Sequence, residues 1–381
     1  MSRARILHVF KYFRPRFTGE GIFVERLAKE FARLRPDVTH EVAVTATPNP
    51  DEPVRLEQFS RVHYLSDGHA PAGQAEIVSW LARNAHRYAV VHYHTHVDRT
   101  FLASLLLRLQ GCRLVLSATL DDSIEGLLLT YRARLRPLVR RLCRIIDHFV
   151  AISPKLFAEN NRHVSPRKST LIPIGIVMPD LQAVSLRSCR EKLSIPMDAQ
   201  VLVSVGGICE RKDQMFLVQQ LCGLVKQNPN LLLILVGPVV EADYAGRVRT
   251  FVADNGLDRH VRFAGYAELP WDFYIAADVM VFASREEGFG TVVIEAMAYG
   301  LPVVARRLPG VNDAFVEHGR SGYLFTQDDE FKSHVGQLLQ DAQLRHRIGA
   351  SGRTFVAAHF DIAGIAARYL ALYGFPAGSG P

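Results

Sequence analysis

Short apolar runs alternate with longer amphipathic segments along the whole chain, and this alternation limits the fold more than any other feature. The runs have the length of strands and the segments the length of helices, so the pattern predicts parallel sheets covered by helices on both faces. The predicted strands are residues 6–10, 41–46, 90–94, 114–117, 148–152 and 169–173 in the first half, and residues 201–205, 232–236, 261–264, 278–283 and 302–305 in the second.

A stretch that contains Pro and Gly, residues 173–196, separates the two sets of strands, and 381 residues suffice for two hydrophobic cores. The predicted fold class is therefore α/β, with two doubly wound, Rossmann-like domains that face a cleft. We expect a first domain over residues 1–177 and a second over residues 178–360, with a final helix at 361–375 packing back on the first. Ligands of such sheets bind beyond the carboxyl ends of the strands.

The segment 287–295, EGFGTVVIE, places two carboxylates around a Gly-Phe-Gly turn between a predicted strand and a predicted helix. Glycines let the backbone approach a ligand, and the start of a helix offers unpaired N–H groups to an anion. A carboxylate there would repel a phosphate, so Glu287 and Glu295 are better explained as acceptors for hydroxyl groups. The implied ligand is an anion attached to a polyol, which describes a nucleotide-sugar.

Two other turns have the composition of phosphate-binding loops. A predicted strand ends at Gly206 and Gly207, and a helix is predicted to begin near Lys212. Arg211 and Lys212 at this junction suit a diphosphate, Arg as a bidentate fork and Lys as a point charge, although basic pairs also occur on ordinary surface turns. A shorter glycine turn, at Gly19 and Gly21, precedes the first predicted helix, where phosphate contact and a plain turn are both open.

The sequence predicts no metal site and no cofactor. No two aspartates stand at positions i and i+2, so the simplest metal clamp for a diphosphate is missing. The charge of the leaving group would then be neutralised by Arg211, Lys212 and helix N-termini. His92, His94 and His96 have a metal-like spacing, but they alternate along a strand end with no Cys or carboxylate nearby in sequence. We interpret them as polar residues of the cleft.

Asp121 and Asp122 follow a predicted strand of the first half, in the segment LSATLDDSIEG. Groups that bind an acceptor or act in catalysis lie at this end of such sheets. The same residues are also common at helix N-caps, so both roles are open.

Charge is unevenly distributed along the chain. Residues 1–190 hold 28 Lys and Arg against 17 Asp and Glu, a net charge of +11, within a total of +7. A basic first domain favours an anionic partner, such as a phospholipid surface, a lipid-linked pyrophosphate or an acidic glycan, unless the Arg content is only compositional. Arginines recur every four residues opposite an apolar face, as in a helix that lies on an anionic membrane or one with a solvated stripe. These are Arg132, Arg136, Arg140 and Arg144.

The longest apolar stretch, residues 231–237, is far too short to span a bilayer. The five cysteines are scattered and include no CxxC, which indicates free thiols in a reducing compartment. We therefore expect a cytoplasmic protein, peripheral at the inner face of a membrane if the arginine stripe binds lipid.

Together these motifs resemble glycosyltransferase family 4, the retaining nucleotide-sugar enzymes with the GT-B fold. The resemblance covers nearly the whole chain, from ILHVFKYFRPRFTGEGIFVERLAKEF and YAVVHYHTH to VSVGGICERKD. Its most specific part is VRFAGYAELPWDFYIAADVMVFASREEGFGTVVIEAMAYGLPVVA. The chain departs from the family where Gly206 and Gly207 replace a usual Gly-Arg, and where Thr119, Asp121 and Asp122 replace a common histidine.

The resemblance implies a role for each motif. Glu287 would bind hydroxyls of the donor sugar, Glu295 the ribose, and Arg211 with Lys212 the diphosphate. The implied catalytic residues are Glu287, Lys212, Arg211, Asp121 and Asp122. The implied residues for donor binding are Gly19, Gly21, Gly206, Gly207, Gly265, Tyr266, Gly288, Phe289, Gly290, Thr291 and Glu295.

The implied reaction moves a hexosyl group from a UDP- or GDP-sugar, with retention, to a hydroxyl of a glycan or lipid-linked acceptor in cell-surface polysaccharide biosynthesis. Same-face attack needs no protein nucleophile, only positioning and stabilised leaving-group charge. A nucleic acid is not an expected partner. The alternative is a non-hydrolysing sugar-nucleotide epimerase, which needs a general acid and base in place of an acceptor site. A dinucleotide oxidoreductase is disfavoured because no full GxGxxG follows the first strand.

Overall fold

The computed structural model describes residues 4–14, 19–46, 56–65, 71–94, 103–118, 124–183 and 185–376. Its contacts divide the chain into two compact units. Unit 1 comprises Met1–Val177 with Phe360–Pro381, and unit 2 comprises Met178–His359. Each unit is built on a sheet of its own.

The sheet of unit 1 has seven strands in the order β3-β2-β1-β4-β5-β6-β7, and every neighbouring pair is parallel. The chain winds outward from β1 in one direction and, from β4, in the other, which is the predicted doubly wound arrangement. The strands are β1 Ala4–Phe10, β2 Val38–Val44, β3 Arg61–Tyr64, β4 Val90–Tyr93, β5 Arg113–Ala118, β6 His148–Ala151 and β7 Ser169–Leu171.

Helices cover both faces of this sheet, because side chains that alternate along buried strands need apolar partners on each side. Ile6 and Phe31 belong to one buried cluster, and Leu7 and Leu107 belong to the cluster on the opposite face. The helices are α1 Gly19–Leu34, α2 Pro71–Asn84, α3 Ala103–Leu109, α4 Ile124–Thr130, α5 Arg136–Leu142 and α6 Pro154–Asn161.

The last helix of the chain, α14 Ile362–Tyr373, also belongs to unit 1. The backbone N–H of Ile176 donates to the carbonyl of Phe360 at 2.7 Å, and that of Ile362 donates to Ile176 at 3.0 Å. These bonds align the returning chain beside residue 176. Buried residues of α14, among them Ile365 and Tyr369, share a cluster with residues of α1 and β1.

The sheet of unit 2 repeats this arrangement with six parallel strands in the order β10-β9-β8-β11-β12-β13. The order reverses between β8 and β11, so a switch point for ligand binding lies at the carboxyl ends of these two strands. The strands are β8 Gln200–Val205, β9 Leu231–Val236, β10 Val261–Gly265, β11 Val279–Phe282, β12 Val303–Arg306 and β13 Tyr323–Phe325.

Residues of α8, α9 and α12 pack with these strands in one large buried cluster. Leu217, Val248 and Val335 are examples of its members, one from each helix. The helices of unit 2 are α7 Leu186–Lys192, α8 Gln214–Gln227, α9 Ala242–Asp254, α10 Trp271–Ala276, α11 Thr291–Ala298, α12 Asp328–Gln340 and α13 Ala342–His359.

Two strands, β3 and β13, are absent from the sequence prediction. Both are edge strands, of four and three residues, and each pairs with one neighbour only. β3 contains only one aliphatic residue and β13 spans only three residues, so neither gives a recognisable apolar run of strand length. β3, with the sequence RVHY, is only partly buried.

Glu41 on β2 is a buried carboxylate that joins several parts of unit 1. His63 and the Tyr88 hydroxyl each lie 2.8 Å from one carboxylate oxygen, and Arg5 donates to the other at 3.2 Å. Burial alone would raise the pKa of Glu41, but the hydrogen bonds from His63 and Tyr88 and the charge of Arg87 outweigh it. Together they lower this pKa from 4.5 to about 2.

We expect Glu41→Gln to lower the free energy of unfolding near neutral pH by about 1–3 kcal/mol, because buried donors lose their charged acceptor. The folded pKa lies below the unfolded one, so this contribution is present above pH 4.5 and is lost as the pH falls toward about 2. The difference in free energy of unfolding between Glu41→Gln and the wild type should therefore shrink as the pH falls from 4.5 toward about 2. Urea unfolding at a series of pH values measures it.

Glu57→Gln is the matched control, because Glu57 is an exposed residue of the same unit. It should stay within about 0.5 kcal/mol of wild type. Equal stability of Glu41→Gln and wild type at neutral pH would contradict the assignment.

Candidate functional site

The motif residues of unit 2 lie at the carboxyl ends of its strands. The turn after β8 carries Arg211 and Lys212, and the loop after β11 carries Glu287. Since β8 and β11 are paired neighbours, the two loops emerge side by side. The structure therefore brings together residues that stand about 75 positions apart in sequence.

Glu287 bridges both predicted cations. Lys212 donates from Nζ to Oε1 at 2.5 Å, and Arg211 donates from Nη1 to Oε2 at 3.1 Å. The carboxylate side chain is 10% exposed, against 17% for Lys212 and 42% for Arg211. The carboxylate thus lies at the base of the cluster, while the guanidinium is open to a ligand. The cluster carries one net positive charge.

Asp213, which sequence reasoning missed, holds this turn in place. Its backbone is in the left-handed region, with φ of 52°, directly after Lys212. The Asp213 carboxylate accepts two hydrogen bonds from Arg285, each of 3.0 Å, and one from Arg306 at 2.9 Å. The backbone N–H of Arg285 also donates to the carbonyl of Arg211 at 2.9 Å. The two loops are therefore tied together by backbone and side chains.

Arg306 at the end of β12 extends this network into the core. It donates from Nε to the carbonyl of Ala283, and its guanidinium lies over the rings of Phe216 and Phe325 at 4.7 and 5.4 Å. In the sequence, only its position at the end of a predicted strand could have identified Arg306 as a site residue. An Arg at the end of an apolar strand is common, so that signal is weak. Both its hydrogen bonds and its stacking restrain the guanidinium.

The glycine turn after Glu287 enters helix α11 as predicted from the sequence. Gly290 takes a left-handed conformation with φ of 88° just before Thr291, the first helical residue. The Phe289 ring is buried and packs against Phe315 with ring centroids 5.3 Å apart, which anchors the turn to the core. Glu295 on α11 accepts a hydrogen bond from the Tyr274 hydroxyl at 3.2 Å, which orients its carboxylate.

Three strands of unit 2 end in glycines that let their loops approach closely. A Cβ at Gly237, which the sequence did not single out, would lie 2.1 Å from the carbonyl oxygen of Gly206. A Cβ at Gly207 would lie 2.6 Å from Val240, and Gly206, with φ of 152°, has the Lys212 side chain against it. Gly237 also donates to the carbonyl of Gly265, whose φ is 74°.

Tyr266, which follows Gly265, is exposed beside this edge of the sheet. In unit 1, Gly19 and Gly21 occupy the first turn of α1, with Gly19 exposed and Gly21 buried. Asp121 and Asp122 lie outside the described residues.

The interpretation of His92 and His94 as residues of a cleft is wrong, because both side chains are buried inside unit 1. They point to the face of the sheet that α1 and α14 cover, where His8 of β1 and His40 of β2 join them. Burial lowers the pKa of His40 and of His92 to about 3 and holds the pKa of His8 and His94 well below the usual range. His96 lies outside the described residues.

The arginine stripe is not one continuous helix. α5 is only seven residues long and is flanked by short 3-10 turns, Ala133–Leu135 and Cys143–Ile145. Part of the apolar face is not core, because Leu138 is 56% exposed and Leu129 of the preceding helix is 61% exposed. Exposed leucines thus lie among the exposed arginines. Within the described residues, no helix is both long and apolar enough to cross a membrane.

Two family models match the chain. The model described as Glycosyl transferases group 1 matches residues 187–355, and the model described as Glycosyltransferase Family 4 matches residues 17–178. The first match contains the cluster around Glu287. The second contains most of unit 1.

Curated relatives carry related names. The lipopolysaccharide core biosynthesis glycosyltransferase LpsE of Rhizobium meliloti is 33% identical over 185 residues, which is 48% of this chain and about half, 52%, of that relative. The N-acetyl-alpha-D-glucosaminyl L-malate synthase of Bacillus anthracis is 24% identical over 326 residues, 84% of this chain and 82% of that one.

Solved structures share the architecture. HepE of Anabaena in complex with UDP and glucose matches with a TM-score of 0.79 and 19% identity, over 97% of this chain and 99% of that one. This likeness shows the fold, in which two parallel-sheet, Rossmann-like domains form the predicted GT-B architecture. Because the two family models between them account for most of both units, the chain belongs to glycosyltransferase family 4.

Proposed function

We propose that the protein transfers a hexosyl group from a UDP- or GDP-sugar, with retention of configuration, to a hydroxyl of a glycan or lipid-linked acceptor. The observation that carries this proposal is the cluster of Glu287, Arg211 and Lys212 at the switch point of unit 2. It combines two cations that suit a diphosphate with a carboxylate that suits sugar hydroxyls.

The cations would stabilise the leaving nucleoside diphosphate. Arg211 offers an exposed guanidinium that can bind two phosphate oxygens, and Lys212 offers a shielded ammonium beside Gly206. The Glu287 carboxylate holds both before the donor binds, so little reorganisation is needed when charge develops on the leaving oxygen. Asp213 contributes by fixing the turn that carries them.

Most of the remaining donor contacts would come from the same edge of the sheet of unit 2. The first N–H groups of α11, which follow the turn of Gly288 to Gly290, would suit a phosphate. Glu295, oriented by Tyr274, would accept ribose hydroxyls. Gly265 and Tyr266 would flank the nucleobase, and the turn at Gly19 and Gly21 would approach the phosphates. We retain Asp121 and Asp122 as acceptor-side residues of the proposal.

In this mechanism the acceptor hydroxyl attacks from the face that the diphosphate leaves. The leaving phosphate oxygen takes the hydroxyl proton, so no side chain forms a covalent bond to the sugar. The demands on the protein are then positioning and stabilisation of the diphosphate charge. A UDP donor is favoured by the fold neighbour HepE, whose structure contains UDP and glucose.

The acceptor side rests on unit 1. The relative LpsE is named for lipopolysaccharide core biosynthesis, which favours a cell-surface glycan as the acceptor. Arg140 is exposed and Arg136 half-exposed on the same short helix as the exposed Leu138, and Leu129 of α4 is exposed as well, so this part of unit 1 is both basic and apolar. Such a surface suits the interface of an anionic membrane, where leucines insert and arginines meet headgroups. We propose a cytoplasmic enzyme that binds the membrane peripherally.

We expect Glu287→Gln and Lys212→Ala each to lower turnover tens-fold or more at saturating donor. The reason is the loss of about 2–4 kcal/mol of transition-state stabilisation. Glu317→Gln is the control, because Glu317 pairs with Arg320 on the surface of the same unit. Turnover near the wild-type value for either site variant, with an unchanged melting temperature, would refute the assignment.

We expect transfer to need no added divalent cation, because Arg211 and Lys212 supply the positive charge for the diphosphate. The rate in an assay that contains EDTA should equal the rate with added magnesium or manganese. A rate that collapses in EDTA and returns with either metal would show that the diphosphate is bound through a cation.

We expect the protein to sediment with anionic vesicles at low salt and to be released at high salt, because each basic residue near such a surface contributes about 1 kcal/mol. Replacing Arg132, Arg136, Arg140 and Arg144 by glutamine should abolish sedimentation. Replacing the same number of exposed arginines in unit 2, such as Arg247 and Arg320, is the control. Unchanged binding by the stripe variant would favour a soluble acceptor.

A further inference from the structure

Three buried imidazoles converge inside unit 1. His8 comes from β1 and His92 from β4, its parallel neighbour, with the two in register, and His94 directly follows β4 and still donates its backbone N–H to Val9 of β1. One ring nitrogen of each residue lies within 4.8 Å of the other two. All three side chains are buried and take no part in the proposed transfer.

The strand geometry explains why they meet. Residues i and i+2 of a strand share a face, so His92 and His94 point the same way, and the register adds His8 beside them. The surroundings are aromatic, since Phe10 stacks on His94 with ring centroids 4.5 Å apart and Phe31 stacks on His8. Burial of several imidazoles among such rings is unfavourable unless their nitrogens find strong partners.

We propose that His8, His92 and His94 bind a late first-row divalent metal ion such as Zn²⁺. Neutral imidazole nitrogens are common ligands for such ions, and three of them leave one position open. Nδ1 of His8 and Nε2 of His94 already lie 2.9 Å apart. Tetrahedral bonds of about 2.0–2.1 Å would place two ligand nitrogens roughly 3.3 Å apart, so this pair needs to move by only a few tenths of an ångström, and His92 has to complete the set from within 4.8 Å.

The outer partners match those that metal-binding histidines use. The second nitrogen of His94, Nδ1, faces the carboxylate of Glu20 at 3.7 Å. The second nitrogen of His8, Nε2, lies 3.0 Å from Nδ1 of His40. A carboxylate or other acceptor on the far nitrogen fixes the tautomer and turns the near nitrogen toward the metal.

The third ligand, His92, can supply either nitrogen. Its Nδ1 lies 2.6 Å from the Tyr373 hydroxyl and its Nε2 lies 2.8 Å from the Ser117 hydroxyl. A hydroxyl oxygen at either distance occupies the place of a metal, so Ser117 has to change its rotamer before Nε2 can bind one, while the Tyr373 hydroxyl accepts the proton that stays on Nδ1. The Glu20 carboxylate balances part of the metal charge.

The structure brings a third histidine and a carboxylate to the pair His92 and His94, which the sequence pattern did not show. Spacing along β4 offers His92 and His94 without any carboxylate or further ligand nearby in the chain. β1 adds His8 and the start of α1 adds Glu20, from positions more than 70 residues earlier. An ion at this point would join two strands and the first turn of α1, which is a structural role inside unit 1.

The test begins with the wild-type full-length chain, purified without added metal and analysed for its metal content. We expect about one zinc ion per chain, or, after stripping with a chelator, uptake of about one Zn²⁺ that raises the melting temperature by about 5 °C or more. X-ray absorption at the zinc edge should show nitrogen ligands at about 2.0–2.1 Å and no sulfur. The chain has five free cysteines, so sulfur ligands would show that the zinc binds to cysteine and not to the three histidines.

His94→Ala should lose the bound metal and the zinc-dependent rise in melting temperature. His86→Ala is the matched control, since His86 is an exposed histidine of the same unit, and it should keep both. If His94→Ala fails to fold, the X-ray absorption spectrum of the wild type still shows whether nitrogen or sulfur atoms bind the metal. Three results would each overturn the proposal: a metal-free wild type that Zn²⁺ does not stabilise, sulfur ligands in the absorption spectrum, or metal retained by His94→Ala. The three histidines would then be a chain of hydrogen-bonded imidazoles with no metal.

Discussion

The ion pairs between the turn after β8 and the loop after β11 hold the candidate site of unit 2 together. Parallel pairing of these two strands brings the loops to one edge of the sheet, but pairing alone does not fix the loops. Glu287 with Lys212 on one side, and Asp213 with Arg285 on the other, join them at two points. Without these pairs, cations on adjacent turns would repel each other and the turns would separate.

At this edge of the sheet, two buried carboxylates pair with four cationic side chains. Asp213 lies between Arg285 and Arg306, and Glu287 lies between Arg211 and Lys212. Each carboxylate leaves one excess positive charge in its group. A site with preset positive charge, held by hydrogen bonds between protein groups, suits a ligand that brings two or more negative charges.

Strand and helix alternation was sufficient to predict the parallel sheets, because buried strands such as β9, LLLILV, are apolar throughout. The edge strands β3 and β13 were missed since neither contains an apolar run of strand length. The motif around Glu287 could be located because glycines and carboxylates mark a turn. Asp213 could not, because its left-handed backbone and its arginine partners depend on contacts between distant strands. His8 was missed for the same reason.

The C-terminal segment has a consequence for how the chain folds as it is made. Helix α14 covers part of the core of unit 1, where Tyr369 and Tyr373 are buried with Phe31 of α1. These residues leave the ribosome only after all of unit 2 has been synthesised. Domains fold as units during synthesis, and the N-terminal one usually completes first. In this protein unit 1 cannot complete its core until α14 has been made, so unit 2 can close its core while the first unit still exposes an apolar strip that a chaperone could bind.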